Sequence, residues 1–301
     1  MIELTKGTHR VGLLPETGGS IAYWKVNDAD ILSPVADERL AAFEGQAVAA
    51  YPLVPYSGRI AGAGFSFEGQ DYALTPNFGG ESNAIHGNGW SHAWTVAQQD
   101  PDRAILLFDH TPDTEERARE WPFAYRCVMS FVLHDDGLSV EMVVVNRDEK
   151  PQPVGFGFHP FFVKGAAATL GFKARGVWEN GAGQVPTTHL LLDDDAGLRW
   201  SFEKARDLKD ASVDNCFSGW DGEAELAERE AEFSVRIEAD PVFQHLVVYT
   251  APDKPFVAVE PVTNMGDAIH HSEVMERGLH VLAPGGRVNG TIRFRIVDRR
   301  G

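Results

Sequence analysis

The chain has 301 residues, 43% of them hydrophobic, and its formal net charge is −17. This charge argues against nucleic acid and anionic membranes as partners, because binding to either requires clustered Lys and Arg. No stretch approaches the roughly 18 apolar residues of a membrane span, and MIELTKGTHR at the start lacks the apolar region of a secretory signal, so we expect a cytoplasmic protein. Cys127 and Cys216 lie far apart and outside any metal-like spacing, so neither a disulfide framework nor a zinc site is expected.

In chain order, the sequence predicts few helices and many short strands in which polar and apolar residues alternate. A helix is predicted at residues 37 to 46, strands at 92 to 99, 103 to 110, 123 to 134, 138 to 147, 231 to 239, 245 to 251 and 255 to 262, a second helix at 264 to 271, and a last strand at 287 to 297. Gly, Pro, Asp and Asn separate these segments, as is typical of turns.

The strand pattern predicts an all-β protein. Asp-Asp-Gly joins the segments 123 to 134 and 138 to 147, which indicates a β-hairpin. Strands and helices do not alternate regularly, so we expect a large sandwich or barrel rather than a doubly wound parallel sheet. Because no repeat, linker or break in composition is found, residues 1 to 301 are expected to form a single domain.

His159 is the first candidate for a chemical role. It lies in the run VGFGFHPFF at residues 154 to 162, where Pro160 follows it and phenylalanines and glycines surround it. A group that titrates near neutrality, held beside a rigid proline and among aromatic rings, fits a general acid or base. A histidine that packs at the end of a buried strand is the alternative, and this segment alone leaves both interpretations open.

Glu260 is the second candidate. It ends the apolar strand in FVAVEPVTNMGDA, residues 256 to 268, and precedes a proline. A carboxylate at the end of a buried run is costly unless it is paired or functional. Burial also raises its proton affinity, which suits a general base that works near pH 7. The structural alternative is a buried ion pair, for instance with Arg59.

His86 and Arg59 lie in two loops that fit ligand binding. His86 occurs in NAIHGNGW, where neighbouring glycines let the backbone approach a ligand closely, although an ordinary turn has the same composition. Arg59 ends the apolar loop PLVPYSGRI and fits the donation of paired hydrogen bonds to ligand oxygens. An ordinary salt bridge between Arg59 and one of the many acidic residues is the alternative.

The segment SVDNCFSGW suggests a further binding element. Asp214 and Asn215 fit hydrogen bonding to vicinal hydroxyls, and Phe217 or Trp220 fits packing against the face of a sugar. An Asx turn is an equally common reason for this composition.

The motifs PYSGRI, NAIHGNGW, VNRDEKPQPVGFGFHPFF, SVDNCF and FVAVEPVT form an ordered set that resembles the aldose 1-epimerases, also called galactose mutarotases. The resemblance spans roughly residues 10 to 298. It implies the large antiparallel β-supersandwich of that family, with few short helices. It further implies an isomerase that interconverts the α and β anomers of an aldose by ring opening, with a sugar as its only partner and neither metal nor other cofactor.

The resemblance also implies a role for each candidate residue. Glu260, which matches the family's EP motif, would take the proton of the anomeric hydroxyl, and His159, which matches the HP motif, would protonate the ring oxygen. Arg59 and His86 would bond sugar hydroxyls or the ring oxygen, and Asp214 would bond hydroxyls distal to C1. HGNGW lacks a second glycine directly after HG, and PYSGRI lacks an asparagine before the arginine. Both departures concern which sugar is bound rather than the reaction.

Three other functions fit parts of this pattern. A sugar-binding sandwich without catalytic activity needs only aromatic platforms and polar groups. A metal enzyme would use His86, His159 and Glu260, although their spacing is unlike compact metal motifs. A hexose-6-phosphate mutarotase would need phosphate partners, for which four arginines are candidates: Arg59, Arg117, Arg119 and Arg126.

Overall fold

The computed structural model describes residues 1–34, 48–228 and 232–299. The helix predicted at residues 37 to 46 lies outside this part of the chain. The described residues form two large antiparallel sheets and three small ones, so the predicted all-β antiparallel fold is confirmed. The described ranges contain one short α-helix, α1 (Glu115–Glu120), and no helix there is long and apolar enough to cross a membrane.

The strands are short and follow one another closely along the chain. The first ten are β1 (Ile2–Lys6), β2 (His9–Leu14), β3 (Ser20–Val26), β4 (Ala29–Asp30), β5 (Ala50–Leu53), β6 (Arg59–Ile60), β7 (Gly64–Phe67), β8 (Gln70–Ala73), β9 (Ala84–Ile85) and β10 (Thr95–Asp100). The next eight are β11 (Arg103–His110), β12 (Tyr125–His134), β13 (Gly137–Asn146), β14 (Gln152–Val154), β15 (Gly157–Val163), β16 (Ala168–Phe172), β17 (Gly176–Asn180) and β18 (Pro186–Leu191). The remaining eight are β19 (Arg206–Asp207), β20 (Val213–Ser218), β21 (Glu223–Glu228), β22 (Phe233–Ala239), β23 (His245–Thr250), β24 (Phe256–Val262), β25 (His280–Leu282) and β26 (Arg287–Asp298). Single 3₁₀ turns occur at Ala61–Ala63, Gly89–Ser91, Ala182–Gln184 and Leu198–Trp200.

Two sheets contain most of these strands. The site sheet has eleven strands in the order β1-β2-β3-β5-β15-β24-β23-β20-β17-β18, with β4 beside β3. The opposing sheet has nine, in the order β10-β11-β12-β13-β26-β22-β21-β16-β19. The pairs β6-β9, β7-β8 and β14-β25 form the small sheets.

The predicted hairpin is confirmed as β12 and β13, which pair from Tyr125 opposite Asn146 to His134 opposite Gly137. Alternate residues of β12 are fully buried, among them Met129 and Phe131, because successive side chains of a strand point to opposite faces.

The core lies between the two large sheets. In β15, as in β12, successive side chains point to opposite faces, and this determines the direction of His159. Phe158 packs against Phe131 and Phe294 of the opposing sheet, with ring centroids 6.5 and 6.3 Å apart. Phe162 also contacts Phe294, at 5.7 Å. The intervening residue positions of β15, including His159, therefore face away from the opposing sheet.

The helix predicted at residues 264 to 271 is wrong, because this segment is a series of turns. Asp267 has a φ of +56°, which a helix cannot contain. Its carboxylate accepts hydrogen bonds from the Ala61 N–H at 2.9 Å and the His270 ring at 2.7 Å. These side-chain bonds compete with the backbone bonds of a helix, and they attach the segment to the loop after β6.

Candidate active site

One row of cross-strand neighbours forms the floor of a cleft on the site sheet. Tyr51 of β5 lies opposite His159 of β15, and the register between β15 and β24 places Glu260 on the other side of His159. The row continues through Val247 of β23 to Cys216 of β20. All five residues line the cleft, whose empty volume of about 840 Å³ suits a small ligand.

His159 and Glu260 are in direct contact within this row. Their Nε2 and Oε1 atoms are 3.2 Å apart, and the two side chains are only 9% and 2% exposed. The residues are far apart in sequence, so pairing of β15 with β24 is what brings them together. A histidine and a glutamate in contact on a cleft wall can hold and exchange a proton.

The aromatic rings around His159 are only partly those that the sequence predicts. Its ring stacks on Tyr51, with centroids 4.6 Å apart and planes 27° apart, and lies 4.5 Å from Phe161. Phe161 was expected from its proximity in sequence, whereas no sequence signal links Tyr51 to His159. The other three phenylalanines of the motif belong to the core between the sheets: Phe156, Phe158 and Phe162.

Burial dominates the electrostatics of Glu260. It raises the pKa of the carboxyl well above the ordinary value of 4.5, and the nearby negative charge of Asp214 raises it further. The positive charge of Arg59 acts in the opposite direction. Once ionised, Glu260 is therefore a stronger base than a solvent-exposed glutamate.

Arg59 lines the cleft, but its ion pair is with Glu81 rather than with Glu260. The guanidinium donates from Nε and Nη2 to the two carboxylate oxygens of Glu81, both at 2.8 Å. A two-point bond of this kind fixes the plane of the guanidinium. The sequence left open an ion pair of Arg59 with Glu260 and a salt bridge of Arg59 with another acidic residue. The structure has the second of these, and Arg59 still lines the cleft.

His86 also lies at the cleft, edge-on to His159 with ring centroids 5.8 Å apart. Its Nδ1 accepts a hydrogen bond from the Gly58 N–H at 3.1 Å. An imidazole nitrogen that accepts carries no hydrogen, so in the neutral ring Nε2 is the protonated nitrogen. His86 is therefore set up as a hydrogen-bond donor through Nε2.

Asp214 lies two residues before Cys216 in β20, and it is opposite Tyr249 in the pairing of β20 with β23. The Asn180 amide donates to its backbone carbonyl at 2.7 Å and holds this end of β20 in place. Tyr249, Asn180 and Gln184 line the cleft with Asp214, and the sequence analysis did not find them. Their positions depend on which strands are neighbours, which sequence patterns do not show.

Phe217 and Trp220 are not sugar platforms, contrary to the interpretation of SVDNCFSGW. Phe217 is fully buried in the core, with its ring centroid 4.9 Å from that of Phe172. Trp220 is 5% exposed and donates through Nε1 to the Glu223 carbonyl. Phe217 and Asp214 are three residues apart in β20, so their side chains point to opposite faces of the sheet. The strand therefore cannot present both side chains to one ligand.

Two other kinds of chemistry receive no support from the described residues. In these ranges, no group of three or more His, Cys, Asp or Glu side chains is placed to hold a metal ion. Burial raises the pKa of the Cys216 thiol to about 12, so this cleft residue is a neutral thiol at pH 7 rather than a nucleophilic thiolate.

Comparison with known proteins gives a consistent result. The family model described as aldose 1-epimerase matches residues 1–295. The uncharacterized protein YphB of Escherichia coli is 25% identical over 82% of this chain and 83% of its own length. A galactose mutarotase-like protein from Clostridium acetobutylicum superposes with a TM-score of 0.83 at 19% identity, covering 98% of this chain and 94% of its own. The GalM/aldose epimerase homologue from C. elegans gives 0.81 at 17% identity, covering 99% and 98%. At these identities the structural likeness shows the shared fold.

Proposed function

The chain belongs to the aldose 1-epimerase family, and from this premise we propose that it is a mutarotase that interconverts the α and β anomers of an uncharged aldose. The observation that carries the proposal is the buried contact between His159 Nε2 and Glu260 Oε1, 3.2 Å long, at the floor of the cleft. Ring opening requires an acid at the ring oxygen and a base at the anomeric hydroxyl, two oxygens that share one carbon, and neighbouring side chains can reach both.

In the proposed reaction, Glu260 takes the proton of the C1 hydroxyl while His159 gives a proton to the ring oxygen. The electron pair of the O–H bond forms the aldehyde carbonyl, and the pair of the C1–O5 bond passes to O5, which receives the histidine proton. Both oxygens are bonded to C1, so the acid and the base must both lie close to this one carbon. Rotation of the aldehyde and ring closure with the roles reversed invert C1 and restore both groups.

The remaining cleft residues suit an uncharged polyol. His86 and Arg59 supply hydrogen-bond donors, and the Asp214 carboxylate supplies acceptors for hydroxyls at the other end of the ring. The raised pKa of Glu260, whose side chain is buried, favours proton uptake by this carboxylate.

A phosphorylated sugar fits this charge distribution poorly. Of the described residues that line the cleft, Arg59 is the one with a permanent positive charge, and Glu81 neutralises it. The other arginines considered for phosphate are paired with acids outside the lining: Arg117 with Glu120, Arg119 with Glu115, and Arg126 with Asp109. Asp214, and Glu260 once it is ionised, would repel a phosphate bound in the cleft.

The test is an anomer-exchange assay by polarimetry or NMR. Freshly dissolved α-D-glucose and α-D-galactose should equilibrate faster with the purified protein than with buffer, and His159→Asn should remove most of the acceleration. Glucose 6-phosphate, assayed in parallel, should be a poorer substrate. If the wild-type protein accelerates no common aldose, the chain is not a mutarotase, and a sugar-binding role without catalytic activity gains support.

A further inference from the structure

Asn77 lies in the segment between β8 and β9, and its side chain binds the backbone on both sides of His86. Its Nδ2 donates to the carbonyl of Ile85 and to the carbonyl of Gly87, both at 2.9 Å. Its Oδ1 accepts from the Ile85 N–H at 2.8 Å. One side chain thus makes three hydrogen bonds to the two residues that flank the histidine.

The backbone of His86 requires such support. Its φ is +58°, in the left-handed region that non-glycine residues rarely adopt, and Gly87 follows with a φ of +69°. A strained conformation of this kind persists only where surrounding contacts determine it. The bonds between His86 and Gly58 fix the ring and the amide of His86. The bonds of Asn77 fix both polar groups of Ile85 on one side of the histidine and the carbonyl of Gly87 on the other.

We propose that Asn77 is a positioning residue that holds His86 in its left-handed conformation so that the Nε2–H of the ring faces the bound sugar. The contact with sugar rests on the proposed function, whereas the conformation of His86 does not.

The side chain at this position has to be an amide. Asn supplies two N–H donors and one acceptor on a short stem, which matches the two carbonyls and one N–H that it binds. Aspartate retains the acceptor and loses both donors, so it keeps the bond from the Ile85 N–H and places a negative charge against two carbonyl oxygens. Alanine loses all three bonds.

The experiment compares Asn77→Ala and Asn77→Asp with a matched control, Asn146→Ala. Asn146 makes the same kind of bonds at the end of β13, in the opposing sheet and outside the cleft lining. Its Nδ2 donates to the carbonyls of Lys150 and Leu282, and its Oδ1 accepts from the Asp148 N–H, all at 2.8 Å. Two readouts are measured on folded protein. One is kcat/KM in the anomer-exchange assay, and the other is the ¹⁵N NMR spectrum of the His86 ring, which reports the protonated nitrogen.

Wild-type His86 should show the Nε2–H tautomer, and both Asn77 variants should perturb that signal while the control leaves it unchanged. Loss of one well-placed hydrogen bond to substrate lowers kcat/KM by on the order of tenfold. Because Asn77 acts through His86, Asn77→Ala added to His86→Ala should change kcat/KM by less than about twofold.

Three results overturn the inference: an Nδ1–H tautomer in the wild type, His86 ring signals that neither Asn77 variant changes, or full additivity in the double variant. If Asn77→Ala does not fold, Asn77→Asp supports the same comparison, and the wild-type tautomer is measurable in any case. A wild-type protein without epimerase activity refutes the proposed function, and the NMR comparison then decides the positioning role by itself.

Discussion

Replacing Glu260 with glutamine removes the proposed base and keeps the shape of a side chain that is 2% exposed. The amide cannot accept the proton of the anomeric hydroxyl, so kcat should fall roughly 100- to 10,000-fold, the usual contribution of a positioned general base. Sugar binding should remain, because the other groups at the cleft are unchanged.

The same substitution should change how stability depends on pH. Burial raises the pKa of Glu260 in the folded protein above the ordinary 4.5. Above pH 4.5 the carboxyl of the unfolded chain loses its proton while the folded one keeps it, so this group costs stability as the pH rises. The cost is about 1.4 kcal/mol for each pH unit until the folded pKa is reached. Glutamine does not titrate, so the variant should be more stable than the wild type at pH 7 to 8, and the difference should vanish near pH 4.

Polarimetry measures the first effect, and urea unfolding at pH 4, 6 and 8 measures the second. Glu141→Gln in β13 of the opposing sheet is the matched control and should change neither quantity. A Glu260→Gln variant with kcat within about threefold of the wild type would show that Glu260 is not the base. A stability difference that does not grow with pH would show that the carboxyl is not held protonated by burial.

Three further predictions concern neighbouring residues. Asp214→Ala should raise KM about tenfold and lower kcat less. Because it removes a charge that raises the pKa of Glu260, it should also shift the acidic limb of the kcat/KM profile to lower pH. An unchanged pH profile would contradict the electrostatic coupling between Asp214 and Glu260. Tyr51→Leu should lower kcat about three- to tenfold, because it removes the ring that stacks on His159, whereas Tyr51→Phe should retain activity. Equal kcat values for the two variants would exclude this stacking role. His110 and His245 are buried with pKa values lowered from 6.5 to about 4, so their contribution to stability is present above pH 6.5 and is lost as the pH falls towards 4, by up to roughly 3 kcal/mol each. Because Glu260 changes stability in the opposite direction over this range, the measurement is made in Glu260→Gln; a urea midpoint of that variant that is the same at pH 7 and pH 4.5 would refute this.

The alternation of polar and apolar residues was sufficient to predict the fold class. It correctly gave the β12–β13 hairpin, because which face of a strand is buried is a local property of every second residue. The strand that contains Glu260 is buried along its whole length, and a continuous apolar run predicted it instead. Local pattern was misleading where side chains bond the backbone, as at Asp267, whose bonds to Ala61 and His270 replace the predicted helix with turns.

Only the tertiary structure decided which residues meet in the cleft. The motifs identified Arg59, His86, His159, Asp214 and Glu260 one by one, and the pairing of β15 with β24 placed two of them 3.2 Å apart. Two other strand pairings, β5 with β15 and β20 with β23, brought Tyr51 and Tyr249 to the cleft. A loop contact placed Asn77 beside the backbone around His86. None of these three residues carried a signal in its own segment. The physical reason is that periodicity determines the orientation of a side chain within its strand, whereas strand order and register depend on contacts between segments that are remote in the sequence.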